Sequence, residues 1–507
     1  MTALHTQITV GELAVRFLEL CGTQAAFGVI SIHNMPILDA FNTRQKIRFV
    51  SARGEAGACN MADAYARVTG RLGVCVTSTG TGAGNAAGAL IEALTAGTPM
   101  LHLTGQIESD YLDRDLGYIH EATQQLAMLQ SVGKAAFRVR NTATALATFR
   151  EAHRLAFTAP CGPVSIEIPI DIQASLMDLP ADLAPLTLSA LQPDAAQINA
   201  LAARLITAKR PLLWLGGGAR GARAAAERFI KIGWGVVTSV QGRGIIAEDN
   251  PASLGSYNLQ KPAEDLYQSC DAMLAVGTRL RSNETLRYKL KLPRALYRID
   301  ANALAHNRGY TSDYFVQGDA AATLNALADV LEGQMQIDKA LHADVAAARA
   351  KAAQAVDTTL GAYLTLKNAV EKQAGQDIWW VRDIILSNSM WGTAHRCSTT
   401  RVQACTPSAA ALARAWRWRL APQLQMQNTA LNAKPWRWRF HAERRRAGLR
   451  RARARQLCAA ADERLPVRRH QEHPGRYLRQ PPLLCGAAHA RLCGVLRQPA
   501  GDSYQAD

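Results

Sequence analysis

The chain has 507 residues, 48% of them hydrophobic and 20% charged. That is enough for two to four domains with real cores, and too little charge for a disordered polyelectrolyte. The net charge of +17 would suggest nucleic acid, an acidic membrane surface or an anionic ligand if it were spread over the molecule. It is not: residues 393–507 hold 21 Arg, one Lys (Lys434) and only six acids, whereas residues 1–392 hold 36 basic and 35 acidic residues and carry +1. The ten cysteines divide five and five about residue 393, with no paired CxxC spacing, so neither a zinc site nor a disulfide framework is expected. No basic flank with an apolar core opens the chain, and no run of about 18 apolar residues occurs. These features predict a cytoplasmic protein that does not enter membranes.

In chain order, Thr9–Cys21 has helical apolar spacing and Ala25–Ile30 reads as a short buried strand. The alternation continues with a strand at Ile47–Ser51, a helix at Ala56–Thr69, a strand at Leu72–Ser78, a glycine-rich turn, a helix at Ala86–Ala96 and a strand at Pro99–Gly105. Pro163–Ile168 closes the unit, and Pro180, Pro185 and Pro193 mark a linker. A second unit follows, with a helix at Ala196–Thr207 and strands at Arg210–Leu215, Trp234–Ser239, Ala272–Gly277 and Ala295–Ile299. It ends near Gln334, and Ala340–Val356 reads as a connecting helix. Short apolar strands alternating with helices predict an α/β fold of successive doubly wound parallel-sheet domains. The expected organisation is a first domain at 1–178, a central domain at 190–335, a connecting helical segment at 336–376 and the start of a third domain at 377–392. An aberrant Arg/Ala/Trp-rich tail occupies 393–507, so the third domain is incomplete or disrupted.

Two segments carry chemistry. Ser78-Thr79-Gly80-Thr81-Gly82-Ala83-Gly84-Asn85 lies at a strand-to-helix turn, where backbone N–H groups can meet an anion or a flat polar ligand, although a tight turn needs glycine in any case. Glu55 sits just before an apolar helix, in Gly54-Glu55-Ala56-Gly57-Ala58. The helix dipole alone favours a glutamate there, but the small flanking residues also leave room for a ligand against the carboxylate.

With Met61-Ala62-Asp63-Ala64-Tyr65-Ala66-Arg67, the Gly80–Asn85 turn and Ile119-His120-Glu121, residues 8–175 resemble the pyrimidine-binding domain of the thiamine diphosphate-dependent enzymes of the acetolactate synthase and 2-keto acid decarboxylase group. Residues 196–330 resemble the central domain of that group through Arg210–Gly218, Gly242-Arg243-Gly244 and Ala275–Arg279, and Trp391-Gly392 matches the start of its third, diphosphate-binding domain. The resemblance implies that Glu55 hydrogen-bonds N1′ of the aminopyrimidine and favours its imino tautomer. The 4′-imino group then removes the thiazolium C2 proton, and C2 attacks the carbonyl of a 2-keto acid. Thr81, Gly82 and Asn85 would shape the cofactor turn, and His120 would stand near the reacting carbon as acid/base or as polar lining. Thr81 stands where many relatives have proline, and His120 replaces a glutamine common in synthases, which weakens substrate assignment. The resemblance further implies Mg²⁺ as second cofactor, optional FAD at Gly216–Gly218, and a homodimer or homotetramer. A simple 2-keto acid or acyl-CoA decarboxylase is the alternative within the group.

The metal ligands of the group, an Asp in Gly-Asp-Gly and a following Asn, are missing: Gly-Asp-Gly occurs nowhere in the chain. In its place stand Ala415-Trp416-Arg417-Trp418-Arg419 and Pro435-Trp436-Arg437-Trp438-Arg439, which could be read as a non-catalytic, nucleic-acid-binding tail. A better account is a slipped reading frame. Back-translated and read one base earlier, Ser408–Leu420 admits a Gly-Gly-Gly-Ile-Gly-Gln-Gly helix start, and the opposite shift turns Ala459–Arg464 into Leu-Leu-Leu-Met-Asn-Asp. Out-of-frame GC-rich DNA yields Arg, Ala, Pro and Trp with almost no Lys. The chain is therefore expected to be inactive, and the tail disordered or aggregation-prone. Resequencing the locus checks this: slips near residue 393 and near Phe440 are expected, an unbroken frame encoding the glycine-rich helix would show a sequencing error, and a confirmed slip would show a damaged gene.

Overall fold

A computed structural model describes residues 7–374 and the short stretches 380–381 and 404–405. The expected third-domain start at 377–392 and the tail at 393–507 otherwise lie outside the described residues.

The first domain runs α1 (Val10–Leu20), β1 (Ala25–Gly28), α2 (Met35–Arg44), β2 (Arg48–Ser51), α3 (Glu55–Thr69), β3 (Gly73–Thr77), α4 (Thr81–Ala96), β4 (Met100–Gln106), α5 (Gln125–Val132), β5 (Ala135–Arg138), α6 (Thr142–Phe157) and β6 (Pro163–Pro169). Its six strands are all parallel, in the order β2-β1-β3-β4-β6-β5. Strand alternation sends Val74, Val76, Leu101 and Leu103 to one face, against Leu13, Phe17 and Phe149 of α1 and α6. Phe27, Cys75 and Met100 face the other side, against α3 and α4. There the contacts are Ala58, Ala62, Ala83, Ala86 and Ala89, small enough to let the two helices lie close together. A short antiparallel pair, Gln7–Thr9 with Leu176–Asp178, ties the start of the domain to its end.

The central domain runs α7 (Ala195–Leu205), β7 (Pro211–Leu215), α8 (Arg223–Ile232), β8 (Gly235–Thr238), α9 (Lys261–Gln268), β9 (Ala272–Val276), β10 (Ala295–Asp300), β11 (Tyr314–Gln317) and α10 (Ala320–Leu331). Its parallel sheet has the order β8-β7-β9-β10-β11. The helix expected as a connector, α11 (Leu341–Leu360), also covers a face of this sheet: Leu341, Val345, Ala348, Ala352 and Val356 pack with Leu212, Trp214 and Met273. α12 (Tyr363–Ala374) follows.

The alternating α/β reading holds, although the strand expected at Ala25–Ile30 ends at Gly28 and α2, α5, β5 and α6 stand where no element was expected. The helix expected to begin at Ala86 begins at Thr81, so most of the glycine-rich segment is the first turn and a half of α4 and only Ser78–Gly80 is turn. In both sheets the second strand in sequence lies outside the first and the third lies on its other side. The loops after the first and third strands therefore diverge and open a crevice at the carboxyl edge, the switch point where open α/β sheets bind ligands.

Beneath the first crevice His102 of β4 is fully buried, its Nε2 2.8 Å from Thr77 Oγ1 and its Nδ1 3.0 Å from Ser165 Oγ. Burial lowers its pKa from 6.5 to about 4. The unfolded chain thus binds the extra proton first as pH falls, so stability is full above pH 6.5 and declines towards pH 4. The expected loss is about 3 kcal/mol over that range. Urea unfolding at a series of pH values reads it, and His102→Gln should flatten the slope.

Candidate functional site

The first switch point lies between β1 and β3. Ser31, three residues after β1, and Ser78, one after β3, join their hydroxyls across it at 2.7 Å. Two more hydroxyls hold the Ser78 carbonyl: Thr104 Oγ1 donates at 2.8 Å and Thr77 Oγ1 at 3.1 Å. The next two residues are fixed from below. Gln125 Oε1 accepts from Gly80 N at 2.6 Å and from Thr79 Oγ1 at 3.0 Å, and its Nε2 donates to Glu167 Oε2 at 2.9 Å. Glu167 is fully buried, and its other oxygen accepts from Arg138, which reaches on to Asp113 at 2.7 Å. A buried carboxylate is stable only with partners of this kind.

Gly80 has φ +55°, and a Cβ there would stand 2.0 Å from the carbonyl oxygen of His120. Glycine is required by both the conformation and the contact. The strap 107–124 therefore lies directly on the turn, and it brings His120 to the crevice.

The residues singled out in the sequence gather here. Glu55 is the first residue of α3, a favourable place for a carboxylate. Asn85, one turn into α4, donates Nδ2 to Glu55 Oε2 at 3.2 Å. Gly82 lies between them: a Cβ at that position would come within 3.3 Å of Glu55 Oε1 and 2.8 Å of the Ser78 Cβ. Its absence leaves a flat recess beside the carboxylate. Thr81 and His120 are exposed, with Thr81 Oγ1 3.5 Å from His120 Nδ1. Sequence reasoning missed His33, which is 2% exposed with its ring edge-on to His120 at 5.7 Å, and Gln125. His33 follows an apolar strand by five residues, and a polar residue in that position was the available signal.

The central domain's switch point carries a second recess. Gly216 and Gly218 are packed on Gly277, where a Cβ on Gly216 would stand 2.3 Å from the Gly277 oxygen, so close packing accounts for these glycines. A cavity of about 330 Å³ opens there, lined by Gly217, Thr278, Arg279, Arg298 and Asp300 and, from the first domain, by Thr98 and Cys161. Burial, with Arg281 and Arg308 nearby, pulls the Arg279 guanidinium below its usual range. Arg298 is 2% exposed and its Nε and Nη2 are buried with no partner among the described residues. Orphaned guanidinium donors fit an anionic group.

Residues 8–131 match the family described as thiamine pyrophosphate enzyme, N-terminal TPP binding domain, and residues 198–327 match its central domain. The chain belongs to the thiamine pyrophosphate enzymes. Among curated relatives, a probable 2-ketoarginine decarboxylase of Pseudomonas aeruginosa is 32% identical over 323 residues, covering 63% of this chain and 57% of the relative. A probable acetolactate synthase large subunit of Methanocaldococcus jannaschii is 28% identical over 341 residues, 64% of this chain and 56% of the relative. The acetolactate synthase large subunit of Corynebacterium glutamicum is 31% identical over 292 residues, 56% and 46%. The chain thus spans about half the length of the curated relatives it matches. For this thiamine pyrophosphate enzyme no helix among the described residues is long and apolar enough to cross a membrane. Mg²⁺ is expected from the family, and its expected ligands belong to the third domain, outside the described residues.

The turn depends on Gln125. Gln125→Leu should cost about 1–3 kcal/mol by stranding the Gly80 N–H and leaving Glu167 Oε2 only the 3.5 Å bond from Gln106. Urea unfolding measures it, with exposed Gln124→Leu as the control expected to change stability by less than about 0.5 kcal/mol.

Proposed function

We propose that this chain derives from a thiamine diphosphate-dependent enzyme that decarboxylates a 2-keto acid and passes the remaining fragment to an acceptor, in the manner of acetolactate synthase. The observation that carries the reading is the Glu55 recess: a carboxylate at a helix start, steadied by Asn85, with Gly82 leaving a flat space beside it. An aminopyrimidine fits that recess, with Glu55 as partner of N1′, Asn85 holding the carboxylate in place, and Thr81 and Gly82 forming the wall. When bound, the cofactor supplies the nucleophilic carbon and the electron sink that 2-keto acid cleavage needs. The protein's own part is to hold the Glu55 proton at N1′, to orient the ring, and to present His120 as a proton donor or polar wall for the reacting carbonyl.

The central cleft fits the diphosphate of a dinucleotide through Arg298 and Arg279, which supports FAD as a structural ligand. Domain limits of 1–178, 190–335 and 336–376, a cytoplasmic setting and a homodimer or homotetramer complete the reading. As this chain stands, without Gly-Asp-Gly, it is inactive, since nothing in the sequence supplies the Mg²⁺ clamp on the diphosphate.

A second reading, simple decarboxylation of a cationic 2-keto acid, is favoured by the strap. Glu108, Asp110, Asp115 and Glu121 are offset by a single basic residue, Arg114, in the segment that carries His120, while Asp113 is paired with Arg138. This suits a substrate with a guanidinium or ammonium tail, in keeping with the 2-ketoarginine decarboxylase relative. A basic-tail nucleic-acid binder is disfavoured because residues 1–392 are nearly neutral.

Calorimetric titration of thiamine diphosphate into the purified chain tests the first reading. Weak binding that Glu55→Ala reduces by about tenfold or more is expected, from the loss of a charge-assisted hydrogen bond. Binding indifferent to Glu55→Ala refutes the assignment, and pyruvate turnover with Mg²⁺ refutes the inactivity.

A further inference from the structure

The outer edge of the first domain's sheet has no part in the reading above, and it is left open. β2 lies at the end of the strand order, bonded to β1 on one side. Arg48 N donates to the Gln24 carbonyl at 2.9 Å and Ala52 N to the Gly28 carbonyl at 2.8 Å. Every second residue of a parallel strand bonds the same neighbour, so Phe49 and Ser51 turn their N–H and C=O groups away from β1. Neither has a partner on that outer side among the described residues. One edge strand of the central sheet is treated differently. There residues 252–255 lie along β8, with Val236 N donating to Ala252 O at 2.7 Å, Leu254 N to Val236 O at 2.8 Å and Thr238 N to Gly255 O at 3.0 Å. Among the described residues, the chain covers that edge and leaves the β2 edge bare.

A groove of about 1010 Å³ runs beside this edge. Ile30, Met35 and Phe49 line its apolar part, and Asn42 and Gln45 its polar part. Strand alternation sends Phe49 towards α2, its ring 5.7 Å from that of Phe41, and sends Arg48 and Val50 to the α3 side. The flanks are basic. From Arg44 to Arg53 the sequence has four basic residues and no acid, within a stretch 1–392 that is otherwise balanced. Arg44 is held by Glu12 and Glu19, but Lys46, Arg48 and Arg53 are exposed. Asp39 is the one acid among the described residues that line the groove.

Charge selects the occupant. An open edge is a template for any extended chain, and basic side chains on it are a common defence against pairing with another copy. They act in that way here, since two β2 edges meeting would bring their cations together. The Arg-rich tail is refused on the same ground. What repels those two attracts a segment of opposite sign. We propose that the β2 edge receives an acidic, extended segment of another protein as an added strand. The segment's backbone bonds Phe49 and Ser51, its apolar side chains enter the groove beside Met35 and Phe49, and its carboxylates lie beside Arg48 on the α3 side. The four residues of β2 span about 13 Å, so a partner segment of about five residues fills the edge. The proposal stands apart from the cofactor and substrate readings.

The test uses the full chain and, as probe, a fluorescent acetylated peptide of alternating valine and glutamate. Polarisation follows binding, and amide hydrogen exchange at Phe49 and Ser51 is read with and without the peptide. The peptide should bind and slow exchange at both amides. The same peptide methylated on its internal amide nitrogens, which keeps the charge and removes the strand's donors, should do neither. Reversing two exposed cations in Lys46→Glu/Arg53→Glu should weaken binding about fivefold or more. The basic tail also attracts acids, so the readouts at the edge decide: binding that leaves Phe49 and Ser51 exchange unchanged is binding to the tail and overturns the proposal. So does absence of binding, equal binding of the methylated peptide, or unchanged affinity in the double variant. Protection of the two amides that rises with protein concentration without peptide assigns the edge to a second copy and overturns it as well. Circular dichroism checks the variant's fold, and if it does not fold, the methylated peptide and the exchange of the unaltered chain decide.

Discussion

The contact between Gly80 and the His120 carbonyl governs the first domain's crevice. No side chain fits at residue 80, so the strap 107–124 can lie directly on the turn after β3. Once it does, the Gly80 N–H is shut away from water and needs an internal acceptor. Gln125 supplies that acceptor from the start of α5, its amide nitrogen then needs a partner of its own, and Glu167 provides one. A carboxylate so deeply buried requires a cation, which is Arg138, and Arg138 returns to the strap through Asp113. The chain of requirements closes on the segment where it began. The turn, the strap and the buried network are therefore one mechanical unit, and a change at any member is felt at His120.

Both sheets use the same switch-point topology, yet their crevices differ in chemistry. In the first, alanines of α3 and α4 bring the two helix starts together, so Glu55 and Asn85 meet across Gly82. The result is a narrow polar slot for a flat ring. In the second, the glycines are consumed by loop packing against Gly277, and the opening is lined by arginines. The topology fixes where a ligand can go, and the residues at the loop ends decide what kind it is.

Much of this was legible in the sequence because the central strands are covered on both faces. Gly73–Thr77, Pro211–Leu215 and Ala272–Val276 are wholly buried, so they read as short apolar runs within a residue or two of their true limits. The less apolar edge strand Tyr314–Gln317 is only partly buried and gave no such signal. α4 begins five residues earlier than expected because glycines carry poor helix propensity, and here packing overrides propensity. Glu55 was visible through its local run of small residues. His33 and Gln125 were not, since what defines them is a partner 87 and 45 positions away in the chain, His120 and Gly80. Local pattern carries no record of such pairings.

The same distinction bears on the net charge. In the described residues arginines have designated partners: Arg44 with Glu19 and Glu12, Arg67 with Asp63, Arg138 with Glu167 and Asp113, Arg228 with Asp329 and Glu332, Arg243 with Glu248. Arg349 instead donates to three backbone carbonyls. Such pairing is what near-equality of basic and acidic residues over 1–392 permits. In 393–507 six acids can engage only a minority of 21 arginines, and the single lysine is out of keeping with a basic surface shaped for a polyanion, where both residues serve. An excess of basic over acidic residues, in a composition typical of GC-rich codons read out of register, is what the proposed frame slip requires. On that proposal the positive charge belongs to the coding frame of the last 115 residues and not to a ligand of the two folded domains.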